Sequence, residues 1–153
     1  MPNTYTQIHL QFVFAVKYRK AQILPSYKDE LYKYITGIIQ HYNHKVLAIN
    51  GVEDHIHIFI GMRPTQSIAD LLQDIKGSSS KWINENNFLN TKFEWQSGYG
   101  AFSYSKSHVQ NVINYIARQE SHHKKESFRE EYLNSLKDFE IDYDENYIFK
   151  DLI

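Results

Sequence analysis

One seven-residue run, Asp54-His55-Ile56-His57-Ile58-Phe59-Ile60, narrows the possible folds more than any other stretch. Its β-branched and aromatic composition is that of a strand. Successive side chains on a strand point to opposite faces, so His55, His57 and Phe59 share one face and Ile56, Ile58, Ile60 and Met62 the other. The two imidazoles then stand side by side on a rigid element, where they can offer two nitrogen ligands to one cation. The plainer alternative is a pair of hydrogen-bonded, inert histidines on the less apolar face of a half-buried strand.

The rest of the chain supplies a frame for that strand. Ile8, Leu10, Phe12, Phe14 and Val16 alternate with His9, Gln11 and Val13, which predicts a first strand. Lys17-Tyr18-Arg19-Lys20 follows as a basic turn, either solvated or in contact with phosphate. Pro25-Ser26 opens a helix in which Ser26 can cap with Asp29, and Leu31, Tyr34, Ile35, Ile38, Ile39 and Tyr42 recur at steps of three and four. Val46–Ile49 predicts a second strand, turned through Asn50-Gly51 into the histidine strand. Ser67 and Asp70 have capping-box spacing at the start of a second helix, whose apolar side is Ile68, Leu71, Leu72, Ile75, Trp82 and Ile83. Gly77 and three serines interrupt that helix. A helical glycine costs about 1 kcal/mol relative to alanine, so a close approach to the backbone is expected there, by a nucleic acid or by the sheet. Phe93–Gln96 predicts a further strand, followed by a glycine-rich aromatic loop or strand from Gly98 to Tyr104.

The order β-α-β-β-α-β is that of the ferredoxin-like split unit, an α+β fold with an antiparallel sheet and both helices on one face. That fold serves many functions and decides none. It does not require a third helix, yet Ser107 to Gln110 has the spacing of another capping box, and Val109, Val112, Ile113 and Ile116 form a stripe behind it. In a helix over 107–123, Tyr115 and Gln119 lie one turn apart on the shoulder of the stripe. Packed on the open face of the sheet, such a helix carries a phenol and an amide to the edge of the histidine pair. For Tyr115 alone, boundary packing is the simpler account.

Length and composition bound the chemistry. A chain of 153 residues predicts one domain. With no cysteine there is no disulfide scaffold, thiolate metal site or cysteine nucleophile, so any metal must use histidine, carboxylate or amide ligands. Neither a signal-peptide pattern nor an apolar run of membrane-spanning length occurs, which predicts a cytoplasmic protein without membrane association. The net charge of −1 conceals a split: residues 1–125 carry 14 Lys and Arg against 9 Asp and Glu, and residues 126–153 carry 3 against 9. We therefore expect a mildly basic body over 1–125 and an acidic extension of the same domain over 126–153, held away from any nucleic acid. The 12 tyrosines and 9 phenylalanines also suit base stacking, although ordinary packing uses most such residues.

Four segments together carry a resemblance: Asp54-His55-Ile56-His57, Lys76-Gly77-Ser78-Ser79, Trp95-Gln96-Ser97-Gly98-Tyr99, and Tyr115-Ile116-Ala117-Arg118-Gln119. In order and spacing, from about residue 5 to about residue 125, the chain resembles the HUH single-tyrosine transposases of the smallest bacterial insertion sequences. The resemblance implies that His55, His57 and Gln119 bind a divalent cation, Mg²⁺ or Mn²⁺, and that the Tyr115 hydroxyl attacks a phosphodiester of single-stranded DNA. A 5′-phosphotyrosyl bond and a free 3′-OH would result, and attack by another strand's 3′-OH would rejoin DNA without nucleotide hydrolysis. It further implies hairpin-containing DNA ends as substrate and a homodimer in which helix 107–123 is supplied in trans. Lys76, Lys81 and Arg118 are the expected DNA contacts. Two other readings stay open at this point, a non-catalytic single-stranded nucleic-acid-binding protein of ferredoxin-like fold and a metal-dependent hydrolase using the two histidines.

Overall fold

The computed structural model describes residues 4–119 and 128–138. Its central strand is β1 (His9–Ala15), nearly all of whose side chains are buried because both faces of the sheet are covered. β1 pairs antiparallel with β3 (His55–Gly61) on one side and with β4 (Gly100–Tyr104) on the other, and β2 (Lys45–Val52) pairs with the outer edge of β3. The order β2-β3-β1-β4, with every pair antiparallel, is the ferredoxin-like arrangement expected from the sequence.

Side-chain alternation divides the sheet into two faces of different use. Leu10, Phe12 and Phe14 of β1 and Ile56, Ile58 and Ile60 of β3 bury against α1 (Lys28–His41) and α2 (Ile68–Glu85). The helices contribute Leu31, Ile35 and Ile39, and Leu71, Leu72, Ile75 and Ile83. At about 1.5–3 kcal/mol for each fully buried aliphatic or aromatic side chain, this layer dominates the stability of the fold. The opposite face is roofed by two shorter helices. α3 (Val109–Ala117) packs Val112 and Ile116 on Phe59, and α4 (Phe128–Asp138) packs Tyr132 on Val13, Ala15 and Phe102. The histidines lie under this roof.

Several local expectations change. Asn50 and Gly51 are not the hairpin turn but the end of β2; Asn50 pairs with His57, Gly51 with Ile56 and Val52 with His55, so Glu53-Asp54 makes the turn. Gly51 is needed for space instead, since a Cβ there would lie 2.3 Å from the His55 carbonyl oxygen. We expect Gly51→Ala to displace the hairpin and cost about 1–3 kcal/mol, the usual range for overpacking; an unchanged denaturation midpoint would refute this. Phe93–Gln96 joins the sheet only through a bridge between Trp95 and Val16. Ser67 does cap α2, its Oγ accepting from the Asp70 amide at 3.1 Å. Ser26 does not cap α1, which starts at Lys28 behind Tyr27. Ser107 caps nothing either, because a short 3₁₀ turn over Lys106–His108 precedes α3. Gly77 faces open space, so packing against the sheet does not explain it. The expected boundary at residue 125 lies outside the described residues, as does the end of the helix expected over 107–123. Among the described residues, no helix is long and apolar enough to cross a membrane.

Candidate active site

β3 presents His55 and His57 on the roofed face as the alternation requires, with ring centroids 5.2 Å apart. Both rings are fully buried, and each is oriented by a different acceptor. His55 Nδ1 donates to Asp54 Oδ1 at 2.8 Å, and His57 Nδ1 donates to Gln11 Oε1 at 2.8 Å. Gln11 is fixed in turn, its Nε2 donating to the Tyr104 hydroxyl at 3.0 Å. With both Nδ1 atoms engaged, the Nε2 atoms are the ones left to serve as ligands, the tautomer that second-sphere acceptors impose on metal-binding histidines.

Asp54 is itself held by a buried cation. Arg19 Nε and Nη2 lie 2.8 and 2.6 Å from Asp54 Oδ2, with both side chains almost inaccessible to solvent. Burial pushes the Asp54 carboxyl up, but His55 and Arg19 outweigh it and hold its pKa below the ordinary aspartate value. The basic turn is therefore not simply a solvated loop. It bends sharply enough to put Tyr18 at φ 60° and Arg19 at φ 55°, an uncommon conformation for residues other than glycine. Only the turn's outer residues face solvent, and Tyr18 is 68% exposed.

α3 brings the tyrosine. Its C-terminal end is tied to the sheet by Asn50, whose Nδ2 donates to the Ile116 carbonyl at 3.0 Å and the Ala117 carbonyl at 3.4 Å. Because Asn50 stands opposite His57 in the ladder, this tie puts Tyr115 edge-on to His57, with ring centroids 5.9 Å apart at 84°. The helix breaks at Arg118, so Gln119 is not one regular turn beyond Tyr115; it is nevertheless buried, whereas Arg118 is exposed. In this single chain α3 rests on its own sheet, and Tyr115 meets His57 of the same chain. Val112 and Ile116 pack there on Phe59, with Leu47 and Ala48 beside them.

The remaining expected residues are dispersed. Lys76 is half-buried above the Phe14 ring, and its Nζ donates to the carbonyls of Gln96 and Gly98, both at 2.8 Å. Burial lowers its pKa, and its ammonium closes the loop before β4. Lys81 is exposed on α2, beyond the sheet from the histidines, with Glu85 3.8 Å away. One residue that sequence reasoning missed is Glu131 of α4, buried with Oε1 2.9 Å from His57 Nε2. The ligand atoms of His55, His57 and Glu131 all lie within 4.8 Å of one another. Two neutral nitrogens and a carboxylate, gathered out of bulk water, suit a divalent cation.

Known proteins resemble this chain in both sequence and shape. The family profile described as IS200-like transposase matches residues 4–119. The ISDra2 transposase TnpA of Deinococcus radiodurans is 25% identical over 75 residues, a stretch that spans 49% of this chain and 54% of that protein. A putative transposase of known structure, also from Deinococcus radiodurans, superposes with a TM-score of 0.63 at 19% identity, over 78% of this chain and 95% of the other. A REP-associated tyrosine transposase, solved bound to a REP hairpin, superposes with a TM-score of 0.61 at 14% identity, over 80% of this chain and 73% of the other. These two likenesses concern the fold.

Proposed function

The chain belongs to the IS200-like transposase family, and from that premise we propose that it cleaves and rejoins single-stranded DNA through a 5′-phosphotyrosine formed on Tyr115, assisted by a divalent cation. The observation that carries this reading is the meeting of Tyr115 with His57 over a buried histidine pair. In the proposed step the Tyr115 oxygen forms a bond to phosphorus as the bond to the 3′ oxygen breaks. The phenol gives up its proton and the departing 3′ oxygen gains one, so the strand ends as a 3′-OH. A later 3′-OH attacks the same phosphorus, releasing the tyrosine and joining the strands.

A phenol of ordinary pKa about 10 is mostly protonated at neutral pH and is a weak nucleophile. His55, His57 and Gln119 would hold Mg²⁺ or Mn²⁺, which when bound polarises the phosphate and offsets its charge. Asp54 and Gln11 keep the imidazoles aligned, and Asn50 keeps α3 from drifting away from them. Arg118, exposed beside the tyrosine helix, and Lys81 are the proposed phosphate contacts. Lys76, whose ammonium donates to two carbonyls, has one donor left for a phosphate. The solved relative bound to a REP hairpin supports a hairpin-bearing DNA substrate here, which would place the protein in the cytoplasm. Exchange of α3 between two copies would rebuild the same pairing and is one route to a homodimer; the geometry of one chain does not require it.

The reading is tested with hairpin-bearing single strands carrying a 3′ label, on the side of the cut that stays joined to the tyrosine. We expect a covalent protein–DNA adduct in Mn²⁺ or Mg²⁺, none in excess EDTA, and weaker binding as salt rises. Sequence-tolerant binding with no adduct in any metal would favour the non-catalytic alternative.

A further inference from the structure

The helix that the charge distribution assigns to an acidic extension contributes directly to the buried face. α4 is anchored by Tyr132, which packs with Val13, Ala15 and Phe102. The fit is tight enough that a Cβ added at Gly100 would come within 2.9 Å of the Tyr132 ring and hydroxyl. Burial pushes the Tyr132 phenol up to about 12, so it stays neutral in this contact at physiological pH. The residue preceding this anchor is Glu131, and the anchor fixes where its carboxylate goes.

That carboxylate meets the one nitrogen of His57 left to coordinate a cation. His57 Nδ1 is engaged by Gln11, and Glu131 Oε1 lies 2.9 Å from Nε2. Gln119 can give a cation only a neutral amide oxygen, whereas Glu131 can give it a charge. Resting on the reading that this site takes a divalent cation, we propose that Glu131 is a further protein ligand to that cation, adding an anionic donor to His55, His57 and Gln119. Residue 131 lies outside the 4–119 stretch matched by the family, so this ligand would be a feature of the present chain's C-terminal helix. Two histidines, one amide and one carboxylate leave positions open for phosphate oxygens and favour cations that accept both nitrogen and oxygen donors. The carboxylate would also reduce the site's charge from that of the bare ion, exchanging some electrophilic strength for retention of the metal.

The test is a Mn²⁺ titration of the full chain without DNA, reading free Mn²⁺ by electron paramagnetic resonance. Wild type is expected to bind one Mn²⁺ and His57→Ala to lose it. Glu131→Gln, which keeps size and removes charge, is expected to weaken binding about 10- to 100-fold, the scale on which supporting groups alone alter metal affinity. Glu130→Gln, one residue away and exposed, removes the same charge and should leave affinity unchanged. If Glu131→Gln melts early in EDTA, Glu131→Asp carries the test; it keeps the charge, shortens the reach, and is also expected to bind more weakly. Unchanged or tighter binding in the Glu131 variants would overturn the proposal and make the carboxylate a plug over the site. A wild type that binds no Mn²⁺, or a His57→Ala protein that binds as wild type does, would instead bring down the cation reading on which the proposal rests.

Discussion

Tyr115→Phe is expected to bind hairpin DNA with wild-type affinity and to form no covalent adduct, with cleavage reduced on the order of 10⁶-fold, the scale on which loss of a nucleophile acts elsewhere. The substitution removes one oxygen from a half-buried ring, while the edge-on contact with His57 and the apolar seat of α3 remain. The fold is therefore retained and the defect falls on chemistry. An adduct mapped by mass spectrometry to Tyr99 or Tyr104 would move the nucleophile elsewhere. Tyr104 is the informative rival, because its hydroxyl accepts from Gln11 and so lies near the same face. Mixing Tyr115→Phe with His57→Ala protein also separates two architectures. A site completed within one chain would leave each mixed pair without an intact site and cleavage lost. Restored cleavage would mean that α3 is exchanged between subunits.

The largest effect on stability is expected at Arg19. Arg19→Met leaves Asp54 charged, buried and deprived of its cation, and removing one partner of a buried pair costs about 3–5 kcal/mol. For a chain of this size that corresponds to a fall in melting temperature on the order of 10 °C. Lys20→Met, in the same turn but exposed, should change little. The pH profile gives a second readout. The folded-state pKa of Asp54 is depressed, so its contribution to wild-type stability is fully present above the unfolded value near 3.8 and is lost as pH falls through the folded value. Arg19→Met should show less of this acid loss, because burial then opposes the charge with only His55 to offset it. Equal melting temperatures for Arg19→Met and Lys20→Met would remove the bridge from the account.

How much of this was legible in the sequence depended on the range of each interaction. Alternation along β1 and β3 is local, so it revealed both strands and put His55 beside His57. The stripe along α3 likewise predicted a helix carrying Tyr115 towards the open face. Periodicity assumes an unbroken helix, however, and so missed the break at Arg118 that separates Gln119 from Tyr115. Asn-Gly is a turn signal only where space permits, and the approach of the His55 carbonyl assigns Gly51 to β2. The supports of the site were not legible because they join residues remote in sequence, Arg19 to Asp54 and Gln11 to His57. Arginine in a basic run reads as a surface residue, and its burial follows only once the β2–β3 turn is placed against it. Glu131 was hidden in a different way. One carboxylate in an acidic segment looks like its neighbours until Tyr132 anchors the helix.

The meeting of Tyr104, Gln11 and His57 also bears on timing. Three strands that are far apart along the chain converge on one imidazole, the last of them ending at Tyr104. During synthesis the histidine hairpin emerges early, but β1 has both neighbours only after β4 has left the ribosome. Non-local pairings of this kind form slowly compared with helices and hairpins. A chain interrupted before β4 would own both histidines without the hydroxyl that steadies Gln11 or the helix that carries Tyr115. The proposed cleavage would thus depend on the last-formed part of the sheet, and a chain that stops short of β4 would have the ligands without the chemistry.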